Sequence, residues 1–409
     1  MTLEEMIYSE GFSVYHHGFG AIDSWLKSDS IKETENHVHL LTNADTADLA
    51  KLFANLRYPG VGIADAALDG KDRTWYFRCV NSIHDNHPSF SLLEFYQDCK
   101  SRVFYDPRGI YPLFKKIRKN VNDTLPGILT DGHNPNSEYN RSLMDAALIL
   151  AKYGNTIDKS QLSQTVKLLQ SRYLTPESEG SGSYSSNFAA GPEEQRILLF
   201  ALMNSADPGS GLEFLKLSGF INEFWPELAI LDQADHSKDF HPEGNAWRHT
   251  LETFRYRKTS SCAGSFAAKY DIRLSLGLLM HDTGKPLSVS AGSRRYDGHA
   301  ELGEAQTRKF LGRLGVKEPL INDICFLVRN HMLPAALPRL PLFRTGKIMS
   351  SPLFPLLMEL YRCDESSSFK GLDGYYESSA AYQSFLKNKR NPYRSEDGKK
   401  LGKKQRVYK

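Results

Sequence analysis

The chain is poor in sulfur chemistry. Its five cysteines are Cys79, Cys99, Cys262, Cys325 and Cys363. An odd, scattered set without a CxxC pair excludes a disulfide framework and the usual paired-cysteine zinc motifs, so a reducing cytoplasm is the expected setting. No stretch is apolar for long enough to cross a bilayer, and no membrane partner is expected. The N-terminal MTLEEMIYSEGF carries acids and lacks the apolar core of a signal peptide. Charge of one sign is scarce overall, with 51 Lys and Arg against 48 Asp and Glu. The excess is local: Lys387 to Lys409 holds ten Lys or Arg against Glu396 and Asp397. Such a tail can contact phosphates. The plainer reading, a solvated and disordered end, is the one adopted. A length of 409 residues, 40% of them hydrophobic, is enough for two or three globular domains.

What the chain does contain is LGLLMHDTGKP, Leu276 to Pro286. The apolar run reads as a buried helix that Gly and Pro bring to a stop. Burying His281 beside Asp282 is costly unless something pairs with them. Imidazole and carboxylate together suit Mn, Fe, Co, Ni or Zn. The dipeptide alone is equally well explained as a helix cap. Four further residues change that balance: His249 in NAWRHTLETF, His299 in RRYDGHAELG, His331 in VRNHMLP and Asp364 in LYRCDESS. Each lies at or beside the end of a helix-like pattern.

The order His, His-Asp, His, His, Asp resembles that of the HD-domain metal phosphohydrolases. The resemblance implies that His249, His281, Asp282 and Asp364 hold one metal, and that His299 and His331 hold a second or bind the substrate phosphate. Met332 follows His331 where some two-metal relatives carry another His, so the count stays at one or two ions. The implied cofactor is a divalent transition metal (Mn, Fe, Co or Ni), with Mg also admitted. Asp282 is the expected catalytic carboxylate, binding one ion or bridging two. Lys285, one turn on, is expected to neutralise phosphate charge, and Arg294 with Arg295 to clamp it.

The N-terminal region mixes strand and helix patterns: strands at 12–15, 38–41 and 74–80, helices at 21–27 and after Asp45. LLTNADTADLAKLF and FYDPRGIYPLFKKIR resemble the head of the bacterial class II tRNA nucleotidyltransferase and poly(A) polymerase family. Where that family has an Asp-x-Asp pair for Mg²⁺, this chain has His37-Val38-His39, and imidazole is a poor Mg²⁺ ligand. Its Gly-Gly loop is represented by Gly18-Phe19, and its base-reading segment by 87–94. A head without transfer activity is therefore expected. A rival idea, a new metal site at His37 and His39, lacks a third ligand. Asn140 to Tyr153 reads as an amphipathic helix closed by Gly154.

The expected fold is multidomain α+β. A nucleotidyltransferase-like mixed sheet with helices (1–119) precedes an all-α neck and body (120–230), with a Ser/Gly-rich linker near 175–192. An all-α HD domain (231–385) and a basic tail (386–409) follow. The expected function is metal-dependent phosphohydrolysis of monoesters or diesters, with an inactive head. The partner would be a phosphorylated small molecule or an RNA 3′ end, with tRNA a further candidate. Two alternatives stay open: an RNA-processing tRNA nucleotidyltransferase or poly(A) polymerase, and an RNA- or nucleotide-binding regulatory module. No oligomeric state is read from the sequence.

Overall fold

The computed structural model describes residues 2–18, 20–21, 37–58, 64–71, 73–80, 95–105, 137–153, 190–234, 244–258, 270–290, 296–368, 371–391, 393–395 and 397–401. It divides into two compact units, 1–224 with 259–272, and 225–258 with 273–409. The chain is α+β, with a mixed sheet and helices first and mostly helix after it.

The first unit opens with α1 (Leu3–Ser9), capped by Thr2 and Glu5 in a reciprocal capping box. The sheet comprises β1 (Val14–His17), β2 (His37–Thr42), β3 (Leu56–Arg57), β4 (Ala66–Asp69), β5 (Thr74–Cys79), β6 (Tyr96–Asp98) and β7 (Phe104–Tyr105). Their order is β3-β4-β5-β2-β1-β6-β7. Among the described strands only β2 and β5 run parallel, with Leu40 beside Phe77. α2 (Thr46–Leu52) follows β2, its N-terminus capped by the Asp45 carboxylate. Alternation along β2 decides the faces. Leu40 joins Ile7, Val14, Leu49 and Phe77 in one buried cluster, and Leu41 joins Tyr15 and Tyr96 in another.

The strands read from sequence appear within about two residues of β1, β2 and β5. β4 was not foreseen, because Ala-Ala-Leu-Asp offers no β-branched residue to announce a strand. The anticipated helix at 21–27, the segment from Asp106 to Lys119 and most of 175–192 lie outside the described residues. Among the described residues after the sheet, the unit contains α3 (Ser137–Tyr153), α4 (Pro192–Met203), α5 (Pro208–Leu217) and α6 (Phe220–Phe224). α3 buries Leu143, Ala147, Leu150 and Ala151, the stripe expected of its amphipathic spacing.

The second unit is helical among its described residues. It contains α7 (Pro226–Ala229), α8 (Ala246–Thr253), α9 (Ile272–Met280), α10 (Lys285–Ser290), α11 (His299–Arg313), α12 (Glu318–Asn330), α13 (Leu333–Ala336), α14 (Leu342–Met349), α15 (Phe354–Ser366) and α16 (Asp373–Arg390). α9 is apolar on nearly all sides and correspondingly buried from Leu274 to Met280. Trp225 meets Phe310 edge to face, with centroids 6.0 Å apart. Phe310 is fully buried, so Phe310→Ala is expected to destabilise this unit by roughly 3–5 kcal/mol, read as an earlier urea transition.

The basic run assigned to a tail from 386 begins inside α16, which carries Lys387, Lys389 and Arg390 in its last turn. Beyond it the chain turns back, with Arg394 bridging to Lys400 and the Leu401 amide donating to the Tyr393 carbonyl. Among the described residues no helix is long and apolar enough to cross a membrane.

Candidate metal centre

Helix ends bring the site together. His249 sits on α8, and His281 with Asp282 forms the turn after α9. His299 opens α11, His331 closes α12, and Asp364 lies on α15. His249, His281, Asp282 and His331 are at most 2% exposed and His299 is 8% exposed. The Asp364 side chain, at 23%, marks the open side.

Two groups of potential ligand atoms converge: His249, His281 and Asp364, and Asp282, His299 and His331. Within each group the atoms lie inside 4.8 Å of one another. Asp282 divides its carboxylate between them. Its Oδ2 is 3.4 Å from His281 Nε2 and 4.0 Å from His249 Nε2. Its Oδ1 is 3.9 Å from His299 Nε2 and 4.0 Å from His331 Nε2. Ligands at about 2.1 Å from one ion stand roughly 3.0–3.4 Å apart, so the spacing needs only a small contraction.

Second contacts set which ring atom faces inward. His281 Nδ1 is 2.8 Å from the Leu278 carbonyl, His299 Nδ1 2.7 Å from the Tyr296 carbonyl, and His331 Nδ1 2.7 Å from the Val328 carbonyl. Ring protons are assigned from these partners: a carbonyl only accepts, so each Nδ1 carries the hydrogen and each Nε2 presents a lone pair. His249 Nδ1 lies 3.3 Å from Ser367 Oγ. That hydroxyl already donates to the Asp364 carbonyl at 2.6 Å, so it accepts from the ring.

The consequence is a cluster of facing acceptors. His249 Nε2 stands 2.9 Å from Asp364 Oδ1, and His299 Nε2 stands 3.0 Å from His331 Nε2. His281 Nε2 is buried with no hydrogen-bond partner. Burial drives the His331 imidazole down to about 3, and burial also lowers His299. Both rings are therefore neutral near pH 7, the form a metal takes. For Asp364 burial acts upward, but the closeness of His249 and His281 outweighs it, and the carboxyl is held low. Lone pairs aimed at one another in a buried space are unfavourable without a cation between them. The donor set therefore fits one or two divalent ions.

The Lys285 ammonium is 2.7 Å from Asp282 Oδ2 and 5.8 Å from the centre of the Tyr296 ring. It is committed to the Asp282 carboxylate. Arg294 and Arg295 lie outside the described residues. Sequence reasoning missed Ser367 and Tyr296. The first could have been suspected from its place three residues after Asp364. The second is held at φ 54°, a strained position that nothing in the sequence announces. In the first unit, His39 stacks on Tyr76 with centroids 5.1 Å apart. No third ligand joins it among the described residues.

No family model matches the chain. In sequence it is 30% identical over 147 residues to the CC-adding tRNA nucleotidyltransferase of Thermus thermophilus, covering 34% of this chain and 32% of that protein. It is 29% identical over 125 residues to the multifunctional CCA protein of Halorhodospira halophila, covering 31% and 28%. The chain thus spans about a third of the length of the curated relatives it matches. The solved Bacillus stearothermophilus CCA-adding enzyme in complex with CTP superposes on 94% of this chain and 81% of its own at 11% identity. Its TM-score is 0.43, too loose a likeness to argue from. By sequence, the homologues of this chain are CCA-adding tRNA nucleotidyltransferases.

Proposed function

We propose that this is an RNA-processing protein of the tRNA nucleotidyltransferase kind whose second unit is a metal-dependent phosphohydrolase acting on nucleotides or RNA ends. The relatives speak for RNA processing and are silent on hydrolysis, so they back the nucleotidyltransferase-like reading more strongly than the hydrolytic one. Hydrolysis is supported by one observation: four imidazoles and the Asp282 carboxylate are buried with their ligand atoms facing one another, Asp364 half-buried at their edge and Asp282 straddling both groups. A divalent ion held there would supply Lewis acidity to a phosphoryl oxygen and to the attacking water.

The chain's own groups have separate tasks. His249, His281 and Asp364 would grip one side, and His299 and His331 the other. Asp282 presents one oxygen to each. Lys285 offsets the Asp282 charge and can turn toward an incoming phosphate. Burial excludes competing solvent, and the half-open Asp364 side admits the ester.

The test is turnover of aryl phosphates, 2′,3′-cyclic nucleotides and 3′-phosphorylated oligonucleotides by protein loaded with Mn²⁺, Co²⁺ or Ni²⁺. Hydrolysis is expected and should disappear in Asp282→Ala. Full metal occupancy with no turnover of any ester would overturn the hydrolase reading.

Nucleotidyl transfer is the second reading, favoured by what the relatives are. Against it, His37-Val38-His39 occupies β2 where two carboxylates are needed, and the His39 ring is engaged with Tyr76. Truncated tRNA with Mg²⁺, CTP and ATP is expected to give no labelled product. A product would restore transfer activity to the head.

A further inference from the structure

Away from the candidate metal centre, the second unit has an open cleft of ≈ 320 Å³ between the α14–α15 turn and the far end of α16. This falls within the roughly 300–1,000 Å³ that small ligands occupy. Pro352, Pro355 and Tyr382 form apolar walls, while Ser350, Lys389 and Arg390 edge it with polar groups. On α16 the cleft-lining positions are Tyr382, Leu386, Lys389 and Arg390. Spacings of four, seven and eight put them on one helix face, an aromatic ring at one end and two cations at the other.

The parts are held in place. Phe354 tilts against the Tyr382 ring with centroids 4.6 Å apart, and Phe385 stacks near it at 6.4 Å. The Lys389 ammonium donates to Ser350 Oγ at 2.9 Å and lies 5.6 Å from the Phe385 ring centre. Neither Lys389 nor Arg390 has a carboxylate partner among the described residues. The positive charge continues from Lys387 into the returning segment, where Arg394 bridges to Lys400. The acid described there, Asp397, is engaged by Lys399 at 3.0 Å.

The geometry points to a binding site for single-stranded polynucleotide on this face, with a base against Tyr382 and its phosphate on Lys389 and Arg390. Aromatic stacking next to a cationic track is how proteins hold single strands without reading their sequence. An acidic peptide would match the cations but leave the Tyr382 wall unused. The proposal is independent of the hydrolase reading, since none of these residues belongs to the metal centre.

The test uses the full chain and a short fluorescein-labelled oligouridine, followed by anisotropy in rising KCl, with an oligothymidine arm. Lys389→Glu combined with Arg390→Glu is expected to weaken binding by at least about tenfold. It should also flatten the salt dependence by about 1.4 in the log–log slope, roughly 0.7 per lost phosphate contact on a single strand. Tyr382→Leu keeps the apolar bulk and removes the ring; it is expected to weaken binding roughly tenfold with the slope unchanged. Metal content and melting temperature should match the wild type in both. Unchanged affinity and slope in the charge-reversed protein would overturn the proposal. So would polyglutamate competing as well as oligouridine at equal charge.

Discussion

Asp282→Ala is expected to leave the purified protein nearly free of transition metal. Asp282 is the one side chain with an oxygen toward each group of ligand atoms, so its loss weakens both grips together. The remaining imidazoles face one another with less negative charge to hold a cation, and Lys285 loses the carboxylate it contacts at 2.7 Å. Affinity should fall by well over the roughly 10–100-fold typical of losing an outer partner. Elemental analysis after gel filtration reads the result directly. Ser367→Ala is the graded control. It removes only the hydroxyl near His249 Nδ1 and should cost about 10–100-fold in metal affinity while metal loading at high concentration survives. If Asp282→Ala retains a full complement of metal, the centre is not built around that residue.

Gly284→Val is expected to disrupt the second unit more than any surface change. A Cβ at Gly284 would lie 1.9 Å from the His299 carbonyl oxygen and 2.5 Å from the Gly303 nitrogen. Both obstacles are backbone of α11, so no rotamer change relieves them. α11 would have to back away, taking His299 out of the centre. A cost of roughly 3 kcal/mol or more is expected, with lower metal content and a lower melting temperature. Gly312→Ala, on the same helix, has nothing within 4 Å of the new Cβ. It should be neutral or stabilise by up to about 1 kcal/mol. Equal behaviour of the two variants would contradict the close approach of α11 to the His281–Gly284 turn.

The centre was legible because its six residues are types that rarely share a buried site without a reason, and because their order repeats a known pattern. His281 and Asp282 at the end of an apolar run gave the strongest cue, and they stand at the end of α9. The partners of the rings were not legible, since carbonyls of Leu278, Tyr296 and Val328 have no side-chain signature. The head was read from strand patterns at Val38 and Thr74. Short strands such as Ala66–Asp69 escaped because pairing with β5, rather than local preference, makes them strands. The basic run after Lys387 is exposed at its described cations, as read, but begins within α16. Local charge cannot reveal that Tyr382, Leu386, Lys389 and Arg390 share a helix face lining a cleft.

Three imidazoles of the centre are aimed by main-chain oxygens three residues earlier. For His281 and His331 that aim is set by the ends of α9 and α12, and for His299 by the turn before α11, so it does not depend on which side chains surround them. The side chains lining the cluster can therefore change in evolution while the direction in which these rings point stays the same.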